Sequence, residues 1–110
     1  MPEITIHEIM NAMPSVFVPE RAGDLSAQIQ YRLSGDEASD WIISIAAGGC
    51  TVQQGVCPNP QLTVTIAAED QKALAFGKLD AMAAFMQGKL RLSGDMSLAM
   101  KLPSLFKIKS

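Results

Sequence analysis

Aromatic residues, histidine, cysteine and long apolar runs are all scarce in this sequence. Of its 110 residues only 5% are aromatic, two are Cys and one is His, whereas 48% are hydrophobic and seven are Met. An interior of this composition is mostly aliphatic, and its thioether side chains can adapt to irregular spaces. No run approaches the ~18 consecutive apolar residues of a transmembrane helix, and no charged segment followed by an apolar stretch opens the chain. The sequence therefore predicts one soluble domain, residues 1–110, in the cytoplasm.

Positive charge is scarce in most of the chain but not at its C-terminal end. The net charge is -2, which argues against a nucleic-acid partner because the phosphate backbone selects for clustered Lys and Arg. Residues 1–70 carry nine acidic and two basic groups, whereas residues 71–110 carry two acidic and seven basic groups. We therefore expect no nucleic acid among the partners, and a C-terminal third with a net charge of +5.

The few His and Cys residues do not form a metal-binding or catalytic pattern. Cys50 and Cys57 are seven residues apart, which fits neither a CxxC redox pair nor zinc-ligand spacing. On one continuous strand they would point to opposite faces, so a mutual disulfide is not expected. His7 has no Ser, Cys or carboxylate companion in a motif, and most carboxylates stand at predicted turns or helix starts. We expect no catalytic residue, no metal, no cofactor and no enzymatic activity.

The first two thirds of the chain predict a helix followed by strands. Thr5 is a helix N-cap with Glu8 as its capping-box partner, and Pro14 ends this helix. Apolar and polar residues then alternate without interruption over 25–33, which is typical of a sheet with one solvated face. Three further strands are predicted, at 41–47, 50–56 and 62–68. Their short connections favour antiparallel pairing of successive strands.

The last third predicts short helices around one more strand. One helix begins at Glu69 and Asp70 and ends at Gly77, and a second covers 80–87. A strand at 89–93 then leads to a helix over 96–102, which Asp95 caps and Pro103 breaks. The order of helix, four strands, two helices, strand and helix predicts an α+β fold.

The pentapeptide RLSGD occurs twice, at 32–36 and at 91–95. The first copy leads into another strand, whereas the second leads into a helix with Asp95 as its N-cap. Because the flanking sequences differ completely, we infer no internal duplication.

Flexible apolar residues are concentrated near the C-terminal end. Ten of them fall on three short helical segments: Phe76, Met82, Phe85, Met86, Met96, Leu98, Met100, Leu102, Leu105 and Phe106. One interpretation is an ordinary hydrophobic core. The other is a cavity for a lipid, because thioether side chains adapt to an irregular guest.

The stretch from Phe76 to Phe106, FGKLDAMAAFMQGKLRLSGDMSLAMKLPSLF, resembles the sterol carrier protein-2 family. The resemblance rests on Gly-Lys-Leu, a short helix, a second Gly-Lys-Leu and Gly-Asp, which are Gly77, Lys78, Leu79, Asp80, Ala84, Phe85, Met86, Gly88, Lys89, Leu90, Gly94, Asp95 and Leu98. The chain ends in KIKS rather than in the Ser-Lys-Leu address of peroxisomal members. We therefore expect a stand-alone, prokaryotic-type member.

The resemblance implies a mainly antiparallel five-stranded sheet with helices packed on one face, enclosing an apolar tunnel. It also implies non-catalytic binding or transfer of a fatty acid, acyl-CoA, phospholipid or sterol-like ligand. The side chains expected to bind this ligand are Phe17, Trp41, Met82, Phe85, Met86, Met100, Leu105 and Phe106.

The basic C-terminal third suggests a transient contact with an anionic membrane, for which we expect Lys101, Lys107 and Lys109. A solvated basic face is the simpler interpretation. A different functional class also stays open, namely an accessory scaffold that presents a hydrophobic intermediate, such as a quinone precursor, to partner enzymes.

Overall fold

The computed structural model describes residues 4–106. Its first helix, α1 (Ile6–Ala12), has the predicted start: the Thr5 hydroxyl accepts the Glu8 N–H at 3.2 Å, and the Glu8 carboxylate accepts the Thr5 N–H at 3.3 Å. Two short helical segments follow α1, a 3₁₀ helix (Met13–Val16) and α2 (Pro19–Ala22). The sequence pattern did not predict either of them. Each has a proline in its first turn, where the missing N–H costs nothing.

Five strands form one sheet in the order β3-β2-β1-β4-β5. Their bounds are β1 (Ala27–Ser34), β2 (Ser39–Ala46), β3 (Gly49–Gln54), β4 (Leu62–Ala67) and β5 (Leu90–Gly94). Three neighbouring pairs are antiparallel, but β1 and β4 are parallel, with Tyr31 opposite Val64. The prediction that every successive strand pairs with the one before it was therefore wrong for β4, and the sheet is mixed.

The segment 55–61 explains this pairing, because it carries the chain from β3 across the polar face of the sheet to the far side of β1. Gln30 anchors the crossing: its Nε2 donates to Gly55 O at 3.0 Å, and its Oε1 accepts the Cys57 N–H at 2.6 Å. Gln30 lies on the predicted polar face but is buried beneath this segment. Gln61 then pairs with Gln28, donating its N–H to the Gln28 carbonyl at 2.9 Å and accepting the Gln28 N–H on Oε1 at 2.8 Å.

The C-terminal helices begin where the sequence predicts. The three helices are α3 (Ala68–Ala75), α4 (Ala81–Met86) and α5 (Met96–Leu105). Asp80 caps α4 by accepting the Ala83 N–H at 3.0 Å, and Asp95 caps α5 by accepting the Leu98 N–H at 3.1 Å. We had expected Pro103 to break this helix, but that prediction was wrong. Pro103 lies inside α5. Because it stands in the last turn, few helical hydrogen bonds remain to be lost.

The hydrophobic core lies between one face of the sheet and the helices. The inward residues of β1, β2 and β4 are almost all buried, and α1, α3 and α5 contribute to the same core cluster. This arrangement confirms the α+β class with helices against the apolar face of the sheet. Glu37, in the β1–β2 turn, joins two of these helices because its carboxylate accepts the Ile6 N–H at 2.7 Å and pairs with Lys72.

Candidate functional site

A cavity of about 440 Å³ lies between the apolar face of the sheet and the covering helices. This volume is within the range of roughly 300–1,000 Å³ that is usual for small-molecule sites. Its floor is formed by inward-facing residues of three adjacent strands, Tyr31 of β1, Val64 of β4, and Leu90 and Leu92 of β5. The two-residue period of the strands places these side chains on the helix side of the sheet.

The walls of the cavity come from two groups of helices. One wall comes from α1 and the 3₁₀ helix, with Glu8, Ile9, Ala12, Met13 and Val16. The other wall comes from α3, α4 and α5, with Gln71, Leu74, Ala75, Ala81, Ala99, Leu102 and Pro103, and Phe76 and Phe106 lie just beyond two of these helices. Alanine recurs along these walls, and its small side chain leaves space that larger residues would fill.

The cavity has an apolar rim. Ile4, Val16 and Phe76 line the cavity and are nevertheless 43%, 38% and 45% exposed. Val16 and Phe76 also belong to an adjoining surface groove, which runs along 15–20. The shared residues indicate that the cavity opens into this groove, because an apolar side chain that reaches both spaces must stand at the boundary between them.

Only three of the lining side chains within the described part of the chain are polar. They are Glu8, Tyr31 and Gln71, and Lys, Arg and His are absent from the lining within residues 4–106. Burial raises the pKa of Tyr31 far above its usual value, so its hydroxyl stays protonated. Within the described part of the chain there is also no group of three or more His, Cys, Asp or Glu that could hold a metal ion. The site can therefore bind by apolar contact and a few hydrogen bonds.

The structure places four of the eight predicted ligand-binding residues inside the domain or along the groove. Phe106 lines the cavity, and Leu105 beside it is fully buried in the core. Phe17 lies in the adjoining groove, with its ring centroid 5.6 Å from that of Phe106. Trp41 is buried in the core, with its ring 4.9 Å from the ring of His7 in an edge-to-face arrangement. Their ligand-binding role stays a prediction.

The other four lie on the surface. Met82, Phe85, Met86 and Met100 are 66%, 43%, 77% and 82% exposed and are not among the cavity-lining residues. The apolar side of α4 that faces inward consists of alanines, since Ala84 is buried and Ala81 lines the cavity. These exposed residues, Met82, Phe85, Met86 and Met100, are called the apolar patch below. Of the three lysines predicted to meet a membrane, Lys101 is exposed, and Lys107 and Lys109 lie outside the described residues.

Sequence reasoning missed the contribution of α1 and of the sheet to the cavity. The signal was present for Tyr31 and Val64, because both occupy the inward positions of the predicted alternation. For α1 the apolar stripe was predicted to dock on the sheet, but nothing in the pattern indicates that Ile9 and Met13 stop short of closing the space.

No helix of residues 4–106 combines the length and the apolar character that crossing a membrane requires.

Comparison with known proteins gives a consistent result. The model of the SCP-2 sterol transfer family matches residues 11–107. Sterol carrier protein 2 of Oryctolagus cuniculus is 36% identical over 89 residues, which cover 81% of this chain but only 16% of that protein. The chain therefore spans about one sixth of the length of this curated relative.

Two solved structures resemble the whole domain. The crystal structure of sterol carrier protein 2 like 2 from Aedes aegypti has a TM-score of 0.75 and 30% identity, covering 92% of this chain and 93% of that one. The solution structure of palmitated SCP2L2 from the same organism also has a TM-score of 0.75, with 29% identity, and covers 100% of this chain and 99% of that one.

Proposed function

The chain belongs to the SCP-2 sterol transfer family, and we propose that it binds one long apolar molecule in the cavity and carries it without chemical change. The observation that carries this proposal is the apolar cavity of about 440 Å³ between the sheet and the helices. The palmitated state of the Aedes aegypti relative supports an alkyl chain as the guest. In this proposal residues 1–110 act as one lipid-binding domain. The cavity corresponds to the apolar tunnel that the family resemblance implies, and it lengthens when the guest enters.

Burial of the alkyl chain supplies the affinity. Each methylene moved from water into the cavity contributes about 0.8 kcal/mol, so fifteen methylenes of a 16-carbon chain contribute roughly 12 kcal/mol, and entropic costs of about 4 kcal/mol leave roughly 8 kcal/mol. Dissociation constants near the micromolar range are therefore expected. Such affinity suits a carrier because the ligand is held in water but can still leave.

The cavity can be filled from α5 to test this proposal. Ala99 is buried and lines the cavity, so Ala99→Phe places a phenyl ring in the space that the guest would occupy. The matched control is Ala83→Phe, in α4, which is partly buried and is not among the lining residues. A neutral fluorescent probe, N-phenyl-1-naphthylamine, and its displacement by 16-carbon ligands would measure binding.

We expect Ala99→Phe to weaken binding at least tenfold and Ala83→Phe to leave it within about twofold. The thermal midpoint of each variant, measured alongside, separates a filled cavity from an unfolded domain. Native mass spectrometry of the unmodified protein would identify a co-purified lipid. If the unmodified protein binds neither the probe nor any 16-carbon ligand, the carrier proposal is wrong.

Ligand exchange at an anionic membrane is a second part of the proposal. The apolar patch lies on α4 and α5, whose inward sides line the cavity, and exposed Lys78, Lys89 and Lys101 belong to the same C-terminal third. Thioether and phenyl groups can enter the interface, and each nearby Lys contributes roughly 1 kcal/mol with anionic lipid. Two free thiols, Cys50 and Cys57, fit the reducing cytoplasm that we propose as the location.

Co-sedimentation with vesicles containing 30% phosphatidylserine would test the membrane contact. We expect Met86→Gln with Met100→Gln to reduce vesicle binding several-fold, and vesicles of phosphatidylcholine alone to bind weakly. The scaffold function is the alternative that the same exposed patch favours. It predicts that vesicle binding is absent and that cross-linking in the native host yields a defined protein complex through α4 and α5.

A further inference from the structure

Two polar side chains lie in the apolar cavity without an adequate partner among residues 4–106. Tyr31 and Gln71 line the cavity and are only 5% and 7% exposed. Among residues 4–106 the Tyr31 hydroxyl has no hydrogen-bond partner, and no fully buried side-chain nitrogen or oxygen lacks one. The Tyr31 hydroxyl therefore reaches accessible space, and since its ring stands on the inward face of β1, that space is the cavity.

Gln71 is in a similar position, on a covering helix rather than on the sheet. It lies in α3, and among residues 4–106 its Nε2 has only the Met10 sulfur as a partner, at 4.0 Å. A thioether is a weak acceptor, and the Gln71 Oε1 has no partner among the described residues. Because no fully buried side-chain nitrogen or oxygen of residues 4–106 lacks a partner, the Gln71 Oε1 also reaches accessible space, where a guest can complete the hydrogen bonds of this side chain.

The electrostatic surroundings restrict which polar group the guest can bring. No Lys, Arg or His of residues 4–106 lines the cavity, and the one ionisable carboxylate in the lining belongs to Glu8. The Glu8 carboxylate is exposed and accepts the Thr5 N–H, so it offers no positive charge to a guest, and a carboxylate head inside the cavity would have no counter-ion there, which is costly. The Tyr31 hydroxyl and the Gln71 amide can instead donate to, or accept from, a neutral group.

We propose that Tyr31 and Gln71 form a polar subsite that selects guests with an uncharged head group, such as an alcohol or a primary amide, over carboxylates. This inference rests on the carrier function proposed above and specifies its ligand class. The alkyl chain supplies the affinity, whereas the two polar side chains supply the choice of head group.

A series of three ligands with the same 16-carbon chain tests the subsite: hexadecanol, hexadecanamide and hexadecanoate, each displacing N-phenyl-1-naphthylamine at pH 7.5. We expect the two neutral ligands to bind the unmodified protein at least tenfold more tightly than hexadecanoate. Tyr31→Phe and Gln71→Leu should each weaken hexadecanol binding about five- to thirtyfold, because each leaves a hydrogen bond unmade. Hexadecanoate binding should change by less than twofold.

Thr65→Val is the matched control, because Thr65 lies on the opposite face of the sheet and the substitution also removes one hydroxyl. It should leave all three affinities unchanged. The inference fails if hexadecanoate binds as tightly as hexadecanol, or if Tyr31→Phe weakens all three ligands equally, which would indicate packing alone. In both cases the carrier function survives, whereas failure of all three ligands to bind refutes both. Even if a variant does not fold, the affinities of the unmodified protein for hexadecanol, hexadecanamide and hexadecanoate decide whether neutral head groups are preferred.

Discussion

The two copies of RLSGD allow a matched test of how closely the chain packs before α5. Gly35 and Gly94 occupy the same position in each copy, and both have positive φ angles, +92° and +118°. A Cβ added at Gly35 would meet nothing within 4 Å, whereas a Cβ at Gly94 would lie 2.4 Å from the Gln61 carbonyl oxygen. The same substitution, Gly→Ala, thus separates the cost of backbone conformation from the cost of a steric clash.

The structure indicates the size of the difference. At Gly35 alanine pays for the left-handed backbone alone, about 1–2 kcal/mol. At Gly94 the same cost applies, and β5 must also move away from Gln61, which breaks the hydrogen bond from the Asp95 N–H to the Gln61 carbonyl at 2.8 Å. The lost hydrogen bond and the displaced strand end add roughly 2 kcal/mol, so Gly94→Ala should cost about 3–4 kcal/mol.

Urea unfolding followed by circular dichroism would measure both free energies of unfolding. We expect Gly94→Ala to be less stable than Gly35→Ala by about 2 kcal/mol, which corresponds to a thermal midpoint roughly 8 °C lower. Because Gly94 positions α5, and Ala99 of α5 lines the cavity, Gly94→Ala should also weaken binding of the 16-carbon ligands. Equal destabilisation by the two substitutions would refute the close approach of β5 to Gln61.

Three further predictions concern local features. Replacing Asp95 by Ala removes the acceptor of the Leu98 N–H and should cost about 1 kcal/mol, whereas Asp95→Asn should cost a few tenths; urea unfolding of both variants would show it. The hydrogen bond from the Ile6 N–H, and then the one from Lys72, hold the pKa of Glu37 below its usual value of 4.5. Ionised Glu37 therefore stabilises the fold above pH 4.5, and this contribution is lost as the pH falls through the lowered pKa. Glu37→Gln should therefore have a lower melting temperature at pH 7 and a shallower decline below about pH 4.5, and parallel declines would contradict this. Burial raises the pKa of the Cys50 thiol to about 11, so in Cys57→Ser iodoacetamide at pH 8 should react with native protein about a hundredfold more slowly than with urea-unfolded protein.

Much of the local structure was predictable because it depends on residues that are close in sequence. Thr5 and Glu8 form their capping box within one helical turn, and Asp80 and Asp95 cap the helices that follow them. The alternation over 25–33 assigned the two faces of β1 correctly, because the side-chain period of a strand is two in any sheet. These predictions needed no knowledge of what packs against each element.

The partner of each strand and the outer surface of each short helix were not predictable in this way. Successive strands favour antiparallel neighbours, but the crossing anchored by Gln30 places β4 beside β1 in parallel. For α4, a helix of six residues, the pattern of apolar residues did not indicate which side would face inward. The large side chains, Met82 and Met86, are therefore exposed, while Ala84 is buried.

The sequence by itself determined the α+β class, the helix starts, the inward faces of the strands and the resemblance that the family match confirms, because these follow from spacing and from local hydrogen bonding. Only the tertiary structure decided where the cavity lies and which side chains line it. A cavity exists where packing is incomplete between elements that are distant in the chain, here α1, the sheet and α5. For the same reason the pairing of Tyr31 with Gln71 as a candidate polar subsite appears only when the strand and the helix that carry them face one space.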